Sequence, residues 1–198
     1  MGAATERIAQ SGLSEQLVRA CQDGRPEAQR ELYECYKAKV YSLTIYLTGD
    51  AEMAKDLTQE IFFKVFRDLR AFRFESTFSS WLYRLATNTC LNALRSRRGR
   101  REVEIEEVIG TPAEIDADCS LEQRHVDLSV LRAVRKAILS LKPPLRVVVV
   151  LRYIENLSYG EIAEALSCSE GTVASRLSRA HRLLERKLKS VAGGFGRS

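Results

Sequence analysis

The sequence predicts an all-α protein with two small helical domains that are joined by a flexible acidic linker. Apolar residues recur at spacings of three and four along most of the chain, which is the period of a helix with one buried face. The β-branched run at 147–151 is the one candidate strand, and no second strand is available to pair with it. An acid-rich stretch containing Gly110 and Pro112 separates the two helical parts.

The composition excludes several classes of protein. The 198 residues are 45% hydrophobic and 29% charged, which is typical of a folded globular chain. No apolar run reaches the roughly 18–20 residues that a membrane helix needs, and the first residues lack the apolar segment of a signal peptide. We therefore expect a cytoplasmic protein without membrane insertion.

Charge is arranged in blocks along the chain. Residues 1–101 carry a net charge of +5, residues 102–124 carry −7 and residues 125–198 carry +7. Two basic parts favour a polyanionic partner. The acidic stretch is explained by solvated charge in a linker, and the alternative is that it masks a basic surface of the same chain.

Cysteines and histidines give little sign of metal or redox chemistry. The five cysteines form no C-x-x-C pair, and an odd number does not suit a disulfide framework. Cys119 and His125 are near enough in sequence to share a metal, but without further ligands unrelated thiols are favoured. No nucleophile–histidine pair and no Gly-rich phosphate loop appears, so we expect no cofactor and no enzyme.

Helices account for the first part of the chain, from residue 25 to about 98. An apolar segment stops at Gly49, which suits a turn, and Asp50 suits the cap of the next helix. That next helix has one apolar face, made by Ala54, Leu57, Ile61, Val65 and Leu69. Residues 72–77 break the period and predict a loop, and a further helix begins at Phe78.

The second part is predicted as helical from residue 125 onward. Its first buried stripe consists of Leu131, Val134, Ile138 and Leu141. Pro143 and Pro144 end that helix and suit the first turn of the next. The run at 147–151 is then a buried helix that ends near Asn156, a residue type that tolerates a left-handed cap.

The last 40 residues carry the clearest local signal. Ser158 and Glu161 have the spacing of a capping box. A tight connection at 167–169 follows, with Ser169 as the N-cap of a long basic helix. Its apolar stripe is formed by Val173, Leu177, Ala180, Leu184 and Leu188. The arrangement predicts a helix-turn-helix, with an ordinary helical hairpin as the alternative.

Polar residues on two of these helices suit DNA. Arginines can fork onto guanine edges and serines can reach phosphates or bases, and the long C-terminal helix carries Ser175, Arg176, Ser178 and Arg179 off its apolar stripe. A second polar stripe, at spacings of four, four and three, consists of Arg84, Asn88, Asn92 and Arg95. Carboxamides read base edges with paired donors and acceptors.

Two further polar or aromatic clusters suit other ligands. The loop before the asparagine stripe supplies Phe72 and Phe74, and aromatic side chains beside arginines can stack on unpaired bases. Core packing is the alternative for these aromatics. Asp56, Gln59 and Glu60 form an acidic patch, which suits a basic protein surface if it is more than a solvated face.

Taken in order, these motifs resemble the extracytoplasmic-function branch of the bacterial sigma-70 family. The resemblance runs from about Gly24 to Leu188. The segments that carry it are Asp56–Phe62, Phe78–Asn92, Leu151–Tyr159, Glu161–Ala163 and Ser169–Ala180.

The resemblance implies the second and fourth domains of the sigma family with no third domain between them. Region 2 would span residues 25–101 and region 4 residues 125–190, with an N-terminal extension at 1–24, the linker at 102–124 and a tail at 191–198. Such a protein binds core RNA polymerase, recognises the −35 and −10 promoter elements and promotes DNA melting. The resemblance also implies control by an anti-sigma protein.

The resemblance gives the clusters specific roles. Asp56, Gln59 and Glu60 match the surface that grips a coiled coil of the largest polymerase subunit. The residues implied at the melted −10 element are Phe72, Arg73, Phe74, Ser76, Arg84, Asn88, Asn92 and Arg95. The residues implied at the −35 element are Ser169, Thr172, Ala174, Ser175, Arg176, Ser178 and Arg179.

The chain departs from the family pattern at a few positions. Ala174 stands where a basic residue is usual, so one DNA contact is in doubt, and His181 replaces a usual arginine. Lys142, Pro144 and Val147 alter the usual start of the helix after the linker.

Two other classes of function compete with this interpretation. A stand-alone helix-turn-helix regulator would bind duplex with its second half and a ligand with its first, but the asparagine stripe and aromatic loop argue against it. An RNA-binding adaptor would need an RNA-recognition motif, and none appears.

Overall fold

The computed structural model describes residues 15–101 and 128–195, with side chains for 15–97 and 130–189. The helices are α1 (15–22), α2 (Pro26–Thr48), α3 (Ala51–Asp68), α4 (Phe78–Arg101), α5 (Leu128–Leu139), α6 (Pro143–Tyr153), α7 (Tyr159–Ala165) and α8 (Glu170–Phe195). A 3-10 turn at Leu69–Ala71 follows α3. No strand occurs in these two ranges, which confirms the predicted all-α class. The predicted linker, Cys119 and His125 lie outside the described residues.

The junction between α2 and α3 forms as predicted. Gly49 has a φ of 74°, and its N–H donates to the carbonyl of Ile45 to close α2. A side chain with a Cβ resists this left-handed conformation, so glycine is the suitable residue here. The Asp50 carboxylate then accepts the N–H of Met53 at 3.1 Å and caps α3.

The apolar face of α3 packs between α2 and α4. All five residues of its predicted stripe are buried. They meet apolar side chains of the two neighbouring helices, chiefly Leu32, Val40 and Leu43 of α2 and Leu82 of α4. Because burial of such side chains is the main favourable term in folding, this three-helix contact stabilises the first domain.

Helix α1 was not predicted from the sequence. Residues 15–22 lie within the expected N-terminal extension, yet Val18 is fully buried and Cys21 is 3% exposed in the core of the first domain. Two buried apolar residues in so short a helix are too few to show a helical repeat in the sequence.

In the second domain the helix at 147–151 is confirmed, and its five apolar residues are all buried. The capping box is also confirmed: Ser158 Oγ accepts the N–H of Glu161, and the Glu161 carboxylate accepts the N–H of Ser158. Asn156 is left-handed with a φ of 57°, although α6 itself ends at Tyr153. The cap residue therefore lies in the connection to α7.

The predicted buried stripe of α5 is wrong in its first half. Ile138 and Leu141 are buried, but Leu131 and Val134 are 43% and 37% exposed. The end of α5 is covered because Leu139 packs against Gly49 of the first domain, and Leu141 lies in the turn beyond the helix. Periodicity alone therefore overestimated the buried face of α5.

The two domains pack directly on each other. Helices α5 and α6 lie on α2, and α7 lies on α4, so the buried apolar residues form one continuous core. Side-chain hydrogen bonds cross this contact: Tyr83 OH donates to Glu155 Oε2 at 2.7 Å, and Ser80 Oγ donates to Glu164 Oε2 at 2.7 Å. The Arg146 guanidinium also donates to the carbonyl of Leu47 at the end of α2.

Candidate promoter and polymerase interfaces

The acidic patch lies on the outer face of α3. Asp56, Gln59 and Glu60 are all exposed, on the side opposite the buried stripe. Glu60 pairs with Lys64 at 2.5 Å, and Lys64 also donates to Thr89 Oγ1 of α4 at 3.3 Å. Asp56 forms no ion pair with the side chains that the structure describes, so its carboxylate is available to a basic protein surface.

The asparagine stripe lies on the exposed face of α4. All four residues of the stripe are exposed: Arg84, Asn88, Asn92 and Arg95. The opposite face of the helix packs into the core. One contact within the stripe is long, at 3.4 Å from Arg95 Nη1 to Asn92 Oδ1. The donors and acceptors of the two carboxamides are therefore presented outward.

The loop at 72–77 connects the 3-10 turn to the start of α4, the helix that carries this stripe. Arg73 and Glu75 are exposed, and Ser76 is half-buried. Thr77 caps α4, since its Oγ1 accepts the N–H of Ser80 at 3.1 Å. Phe74 has a φ of 59°, which a bulky residue rarely adopts and which tends to occur where a ligand is bound.

The two phenylalanines of the loop differ in position. Phe74 is half-buried, but Phe72 is 7% exposed and packs against Phe78 and Trp81 with ring centroids 6.1 and 5.4 Å away. Direct stacking of Phe72 on a base is therefore not compatible with this arrangement. Phe72 supports the ring of Phe74, whose centroid is 4.9 Å away.

The predicted −35 residues lie on the first three turns of α8. Val173 and Leu177 are buried and fix the helix against the second domain, while Ala174, Ser175, Ser178 and Arg179 are exposed. The other three members of the predicted set sit differently. Ser169 is exposed but its Oγ accepts the N–H of Thr172 at 3.2 Å, so it caps the helix, and Thr172 and Arg176 are half-buried.

A basic groove runs between α8 and the start of α6. It is open, has a volume of about 910 Å³ and has apolar walls from Pro144, Leu145 and Leu183. Five cations and one carboxylate line its rim: Lys142, Arg176, Arg179, Arg182, Arg186 and Glu185. Such an excess of positive charge next to a recognition helix attracts a phosphate backbone.

His181 does not line this groove and instead contacts α6. Its Nε2 lies 2.7 Å from the hydroxyl of Tyr153 on α6, and the two rings are 5.6 Å apart. The departure from a family arginine therefore adds a contact that holds α8 on α6.

Two cysteines, Cys21 and Cys90, are buried in the core of the first domain. Burial raises the pKa of Cys21 to about 11 and that of Cys90 to about 12, so both stay protonated at neutral pH. Within the described ranges no three metal-ligating side chains come together, and no helix is long and apolar enough to cross a membrane.

Comparison with known proteins decides the family. The family described as Sigma-70 region 2 matches residues 32–100, and that described as Sigma-70, region 4 matches residues 131–184. The chain belongs to the extracytoplasmic-function branch of the sigma-70 family. This confirms the resemblance and makes the chain an RNA polymerase sigma factor.

Relatives of this sigma factor match it over nearly their whole length. The extracytoplasmic-function sigma factor SigW of Bacillus subtilis is 32% identical over 180 residues, which are 88% of this chain and 96% of SigW. The sigma-E factor of Escherichia coli K12 is 35% identical over 184 residues, with 88% and 94% of the two chains covered.

Solved structures share the fold. The sigma factor RpoE of Bartonella quintana, solved with the anti-sigma factor NepR, has a TM-score of 0.69 at 24% identity, covering 81% of this chain and 96% of its own. CnrH, solved with the cytosolic domain of CnrY, has a TM-score of 0.68 at 21% identity, covering 89% and 97%.

Sequence analysis did not find the groups that join the domains. Two pairs of side chains meet only in the folded chain, Tyr83 with Glu155 and Ser80 with Glu164. Nothing in the local sequence spacing indicates these contacts. The contact made by Arg146 was indicated by the sequence, because a cation beside the buried apolar run at 147–151 must find hydrogen-bond acceptors.

Proposed function

We propose that this sigma factor binds core RNA polymerase through α3, captures the melted −10 strand with α4 and the loop at 72–77, and reads the −35 duplex with the first turns of α8. The observation that carries the proposal is the exposed stripe from Arg84 to Arg95 on α4, the helix that follows directly on a loop with Phe74 in a left-handed conformation.

The −10 role is supported by the spacing of the two carboxamides. Asn88 and Asn92 are one turn apart, so their backbone positions differ by about 6 Å along the axis. That separation lets each side chain meet a different unpaired base, and Arg84 and Arg95 at the two ends suit the phosphates. The strand is thereby held open without a catalytic group.

The −35 role is supported by the exposure of the α8 residues. Ser175, Ser178 and Arg179 face outward on successive turns, where a helix in the major groove meets base edges. Ala174 offers a methyl group, which suits contact with a thymine methyl group better than a phosphate. The arginines farther along the basic groove suit the backbone.

The polymerase role is supported by the charge and position of the α3 patch. Asp56 and Glu60 are exposed on α3, a helix that packs on α2, α4 and the 3-10 turn of its own domain. An acidic patch repels DNA, so a basic surface of the polymerase is the suitable partner.

The remaining elements of the proposal follow the family. The domains span 25–101 and 125–190, the protein acts in the cytoplasm, and it has no enzymatic activity of its own. An anti-sigma protein restrains it by covering the α3 patch and the start of α8, so that polymerase and duplex are excluded together.

The deciding experiment is promoter selection with purified components. The full chain and purified core polymerase are incubated with a random promoter library, and the initiated transcripts are sequenced. We expect one enriched class with two conserved elements at fixed spacing. Core polymerase alone is the control, and initiation without enrichment of any element would contradict the proposal.

A further inference from the structure

Helix α1 reaches the loop at 72–77 through Gln22. The carboxamide Nε2 of Gln22 donates to the carbonyl of Leu69 at 3.0 Å and to that of Phe72 at 2.8 Å. Both partners are acceptors only, so this amide must present its two N–H groups to them. One side chain thus ties the first residue of the 3-10 turn to the beginning of the loop.

Arg19 of the same helix holds the other half of the loop. Its guanidinium lies 4.2 Å from the ring centroid of Phe74, within the range of a favourable cation–π contact. The Glu15 carboxylate fixes the guanidinium, accepting from Nη2 at 2.7 Å and from Nε at 3.2 Å. The ring of Phe74 therefore contacts both the Arg19 guanidinium and the ring of Phe72.

These contacts act where the backbone needs support. A left-handed phenylalanine persists only if its surroundings fix it. Two side chains of α1 reach this loop: Gln22 through its hydrogen bond to the carbonyl of Phe72, and Arg19 through its contact with the ring of Phe74. The family match to region 2 begins at residue 32, so α1 lies outside it.

We propose that α1 is part of the single-strand site, with Gln22 and Arg19 as positioning residues that set the shape of the loop at 72–77 for capture of an unpaired base. The inference rests on the proposed function of that loop. It assigns to the N-terminal helix a role in base capture in addition to the burial of Val18 and Cys21.

The chemistry at Gln22 makes the inference specific. Gln22→Ala removes both donors and frees the loop. Gln22→Glu has nearly the same shape but places a carboxylate against two carbonyl oxygens, so it must displace them. We therefore expect Gln22→Glu to impair base capture more than Gln22→Ala. If only the size of the side chain mattered, the order would be the opposite.

The test uses the holoenzyme, assembled from core polymerase and the full chain, on a promoter obtained by library selection. The DNA is a fork with a duplex −35 element and a single-stranded −10 element. Abasic sites are placed through the single strand in turn, and the position that weakens wild-type binding most marks the captured base. The measured quantity is the ratio of affinities for the intact and the abasic fork at that position.

We expect this ratio to fall about tenfold in Gln22→Ala, further in Gln22→Glu, and less in Arg19→Ala. Affinity for a −35 duplex alone and the melting temperature report on folding and should change little. Gln16→Ala is the matched control, because Gln16 is an exposed glutamine on the same helix.

The outcomes separate this inference from the proposed function. If the wild-type holoenzyme shows no loss at any abasic position and Asn88→Ala has no effect, the proposed function of α4 and the loop is wrong. If wild type and Asn88→Ala behave as expected but Gln22→Ala keeps the wild-type ratio, the inference about α1 is wrong. Equal losses on fork and duplex, with a lower melting temperature, would also overturn it, since they indicate a structural role only.

Discussion

The outer polar surfaces of the first domain and its surface toward the second domain differ in how their hydrogen bonds are completed. On the outer side, the exposed Asn88 carboxamide has no hydrogen-bond partner among the described residues, and the exposed Asp56 carboxylate forms no ion pair with them. On the inner side, Tyr83 is 4% exposed and donates to a half-buried carboxylate of the other domain at 2.7 Å.

This difference predicts which substitutions change ligand binding and which change the stability of the fold. Both surfaces present polar residues at helical spacing on α4, so the sequence pattern is the same. A buried donor that loses its partner costs free energy of folding, whereas an exposed one is solvated by water. Outer-surface variants should therefore lose ligands while keeping their stability, and inner-surface variants should lose stability first.

The largest effect should come from reversing charge on the outer surface. Asp56→Arg replaces attraction by repulsion at the proposed polymerase contact, and we expect core binding to weaken at least about a hundredfold, with an unchanged melting temperature. The measurement is competition for core polymerase between labelled wild type and the variant. Glu34→Arg makes the same charge change on an exposed part of α2 and should bind like wild type.

The second effect lies at the contact between the domains. Arg146 donates to the carbonyls of Leu47, Leu139 and Leu141, which are at the ends of α2 and α5. Arg146→Ala leaves these carbonyls without their charged donor, and we expect the free energy of unfolding to fall by about 2 kcal/mol. Chemical denaturation measures it. Arg132→Ala, at an exposed position of α5, should change it by less than about 0.5 kcal/mol.

A third variant returns to the outer surface. Asn88→Ala removes one carboxamide from the single-strand site, and we expect open-complex formation to fall about tenfold, equivalent to about 1.4 kcal/mol, with duplex −35 binding and stability unchanged. Permanganate reactivity of unpaired thymines on the selected promoter measures the opening. A loss of thermal stability in this variant would contradict the distinction between the two surfaces.

Local signals predicted much of the fold. The Gly49–Asp50 junction, the capping box at Ser158 and the proline start of α6 are each determined by residues within one turn, so sequence alone was sufficient. The exposed stripe of α4 was also predictable, because the period of the buried face fixes the opposite one.

Tertiary contacts limited the rest. The exposure of Leu131 depends on where the neighbours of α5 end, and the burial of Phe72 depends on Phe78 and Trp81 covering it. Helix α1 gave too few apolar residues to be detected, although Gln22 reaches a loop some fifty residues later in the chain. The partners of Glu155 come from the other domain, and no spacing rule brings them together.

The smallest effect concerns pH and the buried carboxylate of the inner surface. Burial raises the pKa of Glu155 above its ordinary value of 4.5, against the opposing influence of the Tyr83 hydroxyl, Lys39 and Ser42. Folding therefore penalises the charged form. This penalty is fully present above the raised pKa and disappears as the pH falls through it toward 4.5.

Glu155→Gln isolates this contribution. The glutamine keeps an acceptor for Tyr83 but cannot titrate, so the variant lacks the gain that wild type obtains on protonation. We expect the stability of wild type relative to Glu155→Gln to rise as the pH is lowered from neutral toward 5, measured by urea denaturation at constant ionic strength. Glu164→Gln removes the other carboxylate that accepts a hydrogen bond across the domains, but from an exposed position, and controls for the loss of one negative charge. Parallel pH profiles for wild type and Glu155→Gln would show that this carboxylate is not desolvated in solution, and the contrast between a solvated outer surface and a buried inner one would then fail at Glu155.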